Sequence, residues 1–159
     1  MSSENIRIIV LIISILLSNG FSLFFYLKNK RSSKEGKIND NLFKLQGIAL
    51  EYPYLEDKRF ISGWEYFREK YSKVNQIDFD ADKKYLQYEQ YCEMLFNFMS
   101  DSFYYYKQKE TKLLKEIDFK SWAKKHQSWW HKPLVDNSNY ETYEKSFSKM
   151  IDSWIEEKT

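Results

Sequence analysis

"DADKKYLQYEQYCEMLFNFMSDSFYYY", residues 80–106, decides how this chain folds. Its apolar residues Tyr85, Tyr88, Cys92, Leu95, Met99, Phe103 and Tyr106 recur three or four apart. That spacing returns a helical side chain to the same face of the helix. Tyr91, Met94 and Phe98 widen the face, as a helix at the centre of a bundle requires. Asp80 or Asp82 stands where such a helix would be capped.

The flanking segments read the same way. Leu42, Leu45, Ala49 and Tyr52 predict a helix capped by Asp40 and stopped by Pro53. Phe60, Trp64, Phe67, Tyr71 and Val74 predict another, with Gly63 weakening its first turn. Beyond the central segment, Asp118 caps a helix running through Phe119, Trp122, His126 and Trp129 or Trp130, which ends before Pro133 because a residue preceding proline is steered out of the α region. Ser138 and Glu141 have capping-box spacing ahead of Tyr140, Tyr143, Phe147, Met150 and Trp154. No stretch alternates like a strand for long, and there is no internal repeat or low-complexity tract.

Composition supports this class. Aromatic residues make up 19% of the 159, enough to give a small domain a real core. Four glycines and two prolines argue against the turn-rich chain of a sandwich or barrel. A second enzyme-sized lobe is excluded by length.

Residues 8–27, "IIVLIISILLSNGFSLFFYL", run for 20 positions without a charge. At about 1.5 Å per residue they match the roughly 30 Å hydrocarbon core of a bilayer. A cleaved signal peptide has a shorter apolar region ending in small residues, whereas here Phe21, Leu23, Phe24 and Phe25 carry the hydrophobicity onward. The expected organisation is a short flank at 1–7, a transmembrane helix at 8–27, a basic juxtamembrane linker at 28–39 and a helical domain at 40–159. Only Arg7 and Glu4 precede the span, and Lys28, Lys30, Arg31, Lys34 and Lys37 follow it. The positive-inside bias therefore places the domain in the cytoplasm, as a single-pass protein of the inner membrane. The one cysteine, Cys92, fits a reducing compartment. Tyr26, Lys28, Lys30 and Arg31 would form the membrane interface. Ser14, Ser18 and Ser22 recur every four residues and would let a second copy approach through the span. From residue 38 onward 19 basic residues face 21 acidic ones, so no electrostatic footprint for nucleic acid exists there.

The chemistry-bearing stretch is "WAKKHQSWWHKP", residues 122–133, with both histidines and three of the five tryptophans. His126 and His131 are five apart and diverge on a helix, where a shared metal wants a spacing of four. Acidic ligands would come from Glu89 or Glu93, themselves four apart, but carboxylates at helical spacing are usually a solvated face. Cys92 with His126 as base is the candidate nucleophile, though its seam position between Tyr88 and Leu95 predicts a buried, neutral thiol. No glycine-rich phosphate loop and no serine-hydrolase motif occurs, and nothing calls for a cofactor. The candidate cluster is His126, Trp129, Trp130, His131, Cys92 and Glu93. Lys124, Lys125 and Lys132 beside the tryptophan pair also suit a foot on anionic headgroups. In the core reading, only one of Trp129 and Trp130 faces inward and the other indole is left over.

"YPYLED" (52–57), "YEQYCEMLFNF" (88–98), "KKHQSWWHKP" (124–133) and "YETYEKSFSKMI" (140–151) resemble a scattered family of small bacterial proteins. Each of these has one N-terminal membrane helix and a cytoplasmic helical domain of unknown function. The resemblance covers about residues 45–155 and implies an anchor and an all-helical domain, without an activity or a site residue. The expectation is an all-α protein, with an N-terminal transmembrane helix followed by a compact cytoplasmic bundle of four to five helices. It would act as an interaction or scaffold module on the lipid bilayer and a protein partner, with no nucleic acid. A membrane-anchored enzyme using a pocket near His126 and Cys92, and a membrane-associated stress or defence effector, are the alternatives.

Overall fold

The computed structural model describes residues 3–74, 79–115, 117–134 and 139–157, with their side chains except at 3–18, 72–74, 79–81 and 139–140. Most of these residues are helical, and no strand occurs among them. The chain divides into two units, Met1–Lys37 and Ile38–Thr159.

Helix α1 spans Ser3–Glu51 without a break. Residues 28–39 are therefore helical rather than an irregular linker, and Asp40 lies inside α1 instead of capping a new helix. The reason is local: "KNKRSSKEGK" is built largely of good helix formers, and no proline interrupts α1 before Pro53. Among the described residues no helix is long and apolar enough to cross a membrane. The side chains of 8–18, those of Ser14 and Ser18 included, are outside the described ones; Ser22 is exposed.

Within the second unit, Pro53 opens a 3-10 turn, Pro53–Glu56. Asp57 then caps the short α2, Lys58–Ile61, accepting from the Arg59 and Phe60 backbone N–H groups at 2.7 and 3.4 Å. The expected 60–74 helix is thereby split, and α3 covers only Trp64–Val74. Gly63 sits at the joint because a Cβ there would collide with the Tyr85 hydroxyl. Tyr85 itself is stacked between Phe60 and Phe67, with centroids 4.5 and 4.8 Å away.

The central helix is α4, Phe79–Tyr105. It buries Tyr88, Tyr91, Cys92, Leu95, Phe96, Phe98, Met99 and Phe103. The expected face is present but displaced at one edge: Met94 is 41% exposed, and Phe96 is fully buried in its place. Phe96 turns inward because it stacks on both Trp129 and Trp130, at 5.2 and 4.8 Å.

A four-residue turn, α5 (Glu110–Leu113), leads to α6 (Phe119–Lys125) and α7 (Gln127–His131). Asp118 caps α6 by accepting from the Ser121 N–H and hydroxyl at 3.1 and 2.6 Å. The expected single helix breaks at His126, whose φ and ψ of −101° and 20° leave the helical region. Pro133 ends α7 as expected, with Lys132 at φ −140°. The last segment also divides, into α8 (Asn139–Thr142) and α9 (Lys145–Glu156). Ser138, the expected cap, lies outside the described residues. Phe147, Met150, Ile151 and Trp154 form the buried stripe of α9, at spacing 3, 1 and 3 on one helical face.

Candidate functional site

One turn of α4 supplies the centre. Tyr88, Glu89, Tyr91 and Cys92 are consecutive enough to reach two sides of the helix, and all four are buried. The 3-10 turn after Pro53 brings Glu56 to one side, and the break between α6 and α7 brings His126 and Lys125 to it. His126 is 0% exposed. Its Nδ1 lies 2.9 Å from the Tyr88 hydroxyl and its Nε2 lies 3.2 Å from Glu56 Oε1. Tyr91 donates its hydroxyl to the same Oε1 at 2.5 Å, and Lys125 donates to Oε2 at 2.6 Å.

Burial pushes the Glu56 carboxyl up, but the hydrogen bonds from His126, Lys125 and Tyr91 outweigh it and hold the group down to about 2. Glu56 is thus ionised and can only accept. Each ring nitrogen of His126 has a polar partner, Tyr88 at Nδ1 and Glu56 at Nε2, so every polar atom of the ring is used. Burial raises the Tyr88 and Tyr91 hydroxyls well above the ordinary tyrosine range, so both remain donors.

Cys92 lies 3.8 Å from the same Nδ1. A carboxylate, an imidazole and a sulfur therefore stand in sequence, the order nucleophilic catalysis would use. The electrostatics oppose that chemistry. Burial pushes the Cys92 thiol well up, the Tyr88 hydroxyl pulls it partly back, the Glu89 and Glu56 charges add to the rise, and Nδ1 is already engaged by Tyr88 at the shorter distance. A fully buried neutral thiol is a small hydrophobe, not a nucleophile.

On the other side of α4, Glu89 accepts from the Trp129 indole N–H at 2.5 Å and from the Leu134 backbone N–H at 3.3 Å. Carboxylates cap further indoles: Trp130 donates to Asp152 at 2.8 Å and Trp154 to Glu110 at 2.7 Å. Trp64 donates instead to the Lys132 carbonyl at 2.9 Å, beside Pro133, whose carbonyl accepts from Arg68 at 3.0 Å.

The sequence-derived cluster is therefore divided. His126 and Cys92 meet; Trp129 and Trp130 are both buried, at 2% exposure each; His131 and Glu93 face solvent. The expectation that one indole would be left over fails because the break at His126 and the flat face of Phe96 accommodate both rings. This removes the membrane foot at the tryptophan pair: Lys125 is turned onto Glu56, and Lys132 donates to Glu65 at 3.4 Å. Tyr104 is half-buried and donates to Glu144 at 3.0 Å. Glu56, Tyr88 and Tyr91 were not singled out as site residues, because no short motif connects residues 38 and 70 positions apart.

Among the described residues no group of three or more His, Cys, Asp or Glu side chains is placed to hold a metal ion. A groove of about 200 Å³ lies between α1 and α4, lined in part by Asn41, Lys44, Leu45, Met94, Asn97 and Asp101, and none of Glu56, Cys92 or His126 lines it. In the part of the apolar run whose side chains are described, Phe21, Leu23, Phe24, Phe25, Tyr26 and Leu27 are 54–62% exposed. Lys28, Lys30 and Arg31 are exposed directly after it, with the Lys30 ammonium 5.9 Å from the centre of the Tyr26 ring. Compared with known proteins, the chain matches no family model, no curated protein and no solved structure.

Proposed function

We propose that this is a single-pass inner-membrane protein, anchored by residues 8–27, whose helical unit Ile38–Thr159 stands on the cytoplasmic side and acts through protein contacts. The observation that carries the anchor is the exposure of Phe21, Leu23, Phe24, Phe25, Tyr26 and Leu27, which between them point in every direction around α1. A helix that is apolar all round is covered by lipid or by other protein. The charge-free run before it and the basic residues after it favour lipid and an inward-facing tail.

Action by contact rather than by reaction is supported by how the polar cluster is spent. Its imidazole, carboxylate and hydroxyls satisfy one another, and the thiol of Cys92 is held neutral by burial. Among the described residues of the second unit, Phe43, Leu50 and Tyr66, at 68%, 81% and 77% exposure, are the large apolar side chains most open to a partner. An anchor raises the effective concentration of such a surface near other membrane components. The enzyme reading rests on the Glu56, His126 and Cys92 alignment alone.

Alkaline carbonate should leave the chain in the membrane pellet, and protease added to intact cells should leave its tail whole. A proximity label fused after Thr159 should then mark cytoplasmic proteins, with the marking reduced in a Phe43, Leu50 and Tyr66 to Ser variant. A soluble chain, or a tail digested from outside, defeats the reading.

A further inference from the structure

We propose that Lys30, Lys34 and Lys37 form a face of α1 that recognises anionic phospholipid headgroups, with the helix tilted to lay this face on the bilayer surface. The proposal rests on the anchor described above. It starts from an asymmetry within the first unit. Tyr26, Lys30, Lys34 and Lys37 are spaced four, four and three, so they share one face of the helix. Lys28, Arg31 and Glu35, spaced three and four, share another. All of these side chains are exposed. Within the first unit the first face carries three cations and no acid, with Asp40 following Lys37 beyond it, whereas the second carries an acid among its cations.

Distance decides what such a face can do. Lys34 and Lys37 come seven and ten residues after Leu27, which on a helix standing along the membrane normal puts them roughly 10 and 15 Å beyond the apolar run. A surface potential decays over about 8 Å at physiological salt, so an upright helix leaves these lysines with little to bind. Tilting toward the Lys30 side brings all three to headgroup depth at once, and each cation there adds roughly fivefold in partition. Tyr26 heads the same face, with its ring 5.9 Å from the Lys30 ammonium. An aromatic ring with a polar tip belongs at the interface where the apolar run ends. A tilt in the opposite direction would press Glu35 against the anionic surface.

The test uses the full chain in vesicles of phosphatidylcholine alone or with one third phosphatidylglycerol. Cys92 is fully buried, so a thiol-reactive fluorophore goes to an introduced cysteine. Ser33→Cys lies three residues after Lys30 and four before Lys37, and Ser32→Cys lies on the Lys28 and Glu35 face. Quenching by headgroup-labelled lipid should rise about twofold or more at position 33 in the anionic vesicles and stay level at position 32. Replacing Lys30, Lys34 and Lys37 by Gln should abolish the rise, as should molar salt, while Lys28→Gln with Arg31→Gln should lower it less. Equal quenching in both vesicles, or equal loss in the two sets of variants, overturns the proposal. So does loss of the rise when inorganic phosphate replaces chloride at equal ionic strength, which would assign the face to free phosphate. A chain that floats with both vesicles yet shows no rise sinks this inference alone. A chain that floats with neither sinks the anchor as well.

Discussion

The Trp129 indole N–H donates to the Glu89 carboxylate at 2.5 Å inside the protein, joining α7 to α4 across 40 residues of sequence. Burial raises the Glu89 carboxyl above the ordinary range, with the Trp129 and Leu134 bonds pulling it partly back. A carboxyl raised in the folded state holds its proton when the unfolded chain has released it, so its contribution falls as pH rises through that window. Glu89→Gln keeps an acceptor for the indole without the buried charge. Its stability relative to wild type should therefore improve between pH 4 and pH 7, measured as urea midpoints. Parallel midpoints at the two pH values would refute this assignment. Trp129→Phe removes the donor and should cost about 3 kcal/mol at pH 7.

Glu56 works in the opposite sense. Its folded value of about 2 lies below the ordinary 4.5 because three donors outweigh its burial. The stability it confers is complete above about pH 4.5 and is lost as pH falls toward 2. The side chain is 22% exposed, so the full linkage applies with little screening, on the order of 3 kcal/mol. Glu56→Gln should be less stable than wild type by about that amount at pH 7, with the two curves converging near pH 2. A gap that persists in acid would place the effect elsewhere.

Gly63 and Tyr85 form a testable pair. Gly63→Ala places a methyl group against the Tyr85 hydroxyl, and overpacking of this kind costs about 1–3 kcal/mol. Tyr85→Phe removes the obstructing oxygen and keeps the ring between Phe60 and Phe67. The double variant should recover at least half the loss, so a double-mutant cycle should give a coupling of about 1 kcal/mol. Additive effects would mean that the backbone, not the hydroxyl, excludes the side chain.

Ser102 and Ser148 are buried, and neither hydroxyl oxygen has a hydrogen-bond partner among the described residues. Replacing each by Ala removes an unsatisfied polar group from the core, so each change should stabilise by about 1 kcal/mol. Thermal melts of the single and double variants check this. A loss of stability in either would reveal a partner for that hydroxyl.

The catalytic alternative has its own simple check. Cys92→Ala deletes the thiol beside His126 and should leave the cellular role of the protein intact, at a cost of about 1 kcal/mol in packing. Abolition of that role with folding preserved would revive the nucleophile.

Much of this architecture is local and was therefore legible. The three-four spacing of Tyr88, Cys92, Leu95 and Met99 marks the buried face of α4, Asp118 caps α6, and Pro133 ends α7. Each is governed by side chains within about four residues of one another. The thiol of Cys92 was expected to be buried and neutral for the same reason, and it is.

The remainder depended on groups far apart in the chain. Residues 28–39 read as a linker by charge, yet intrinsic helix propensity carries α1 straight through them. Trp129 and Trp130 could not both be assigned to a core by a 100° step on one regular helix. The break at His126 and the stacked face of Phe96 made room for both. Glu56 finds His126 only after the chain has folded 70 residues back on itself. Periodicity and capping are written in neighbouring residues, whereas the pairing of a buried carboxylate with its donors is chosen by desolvation, which acts only once the helices have closed over it.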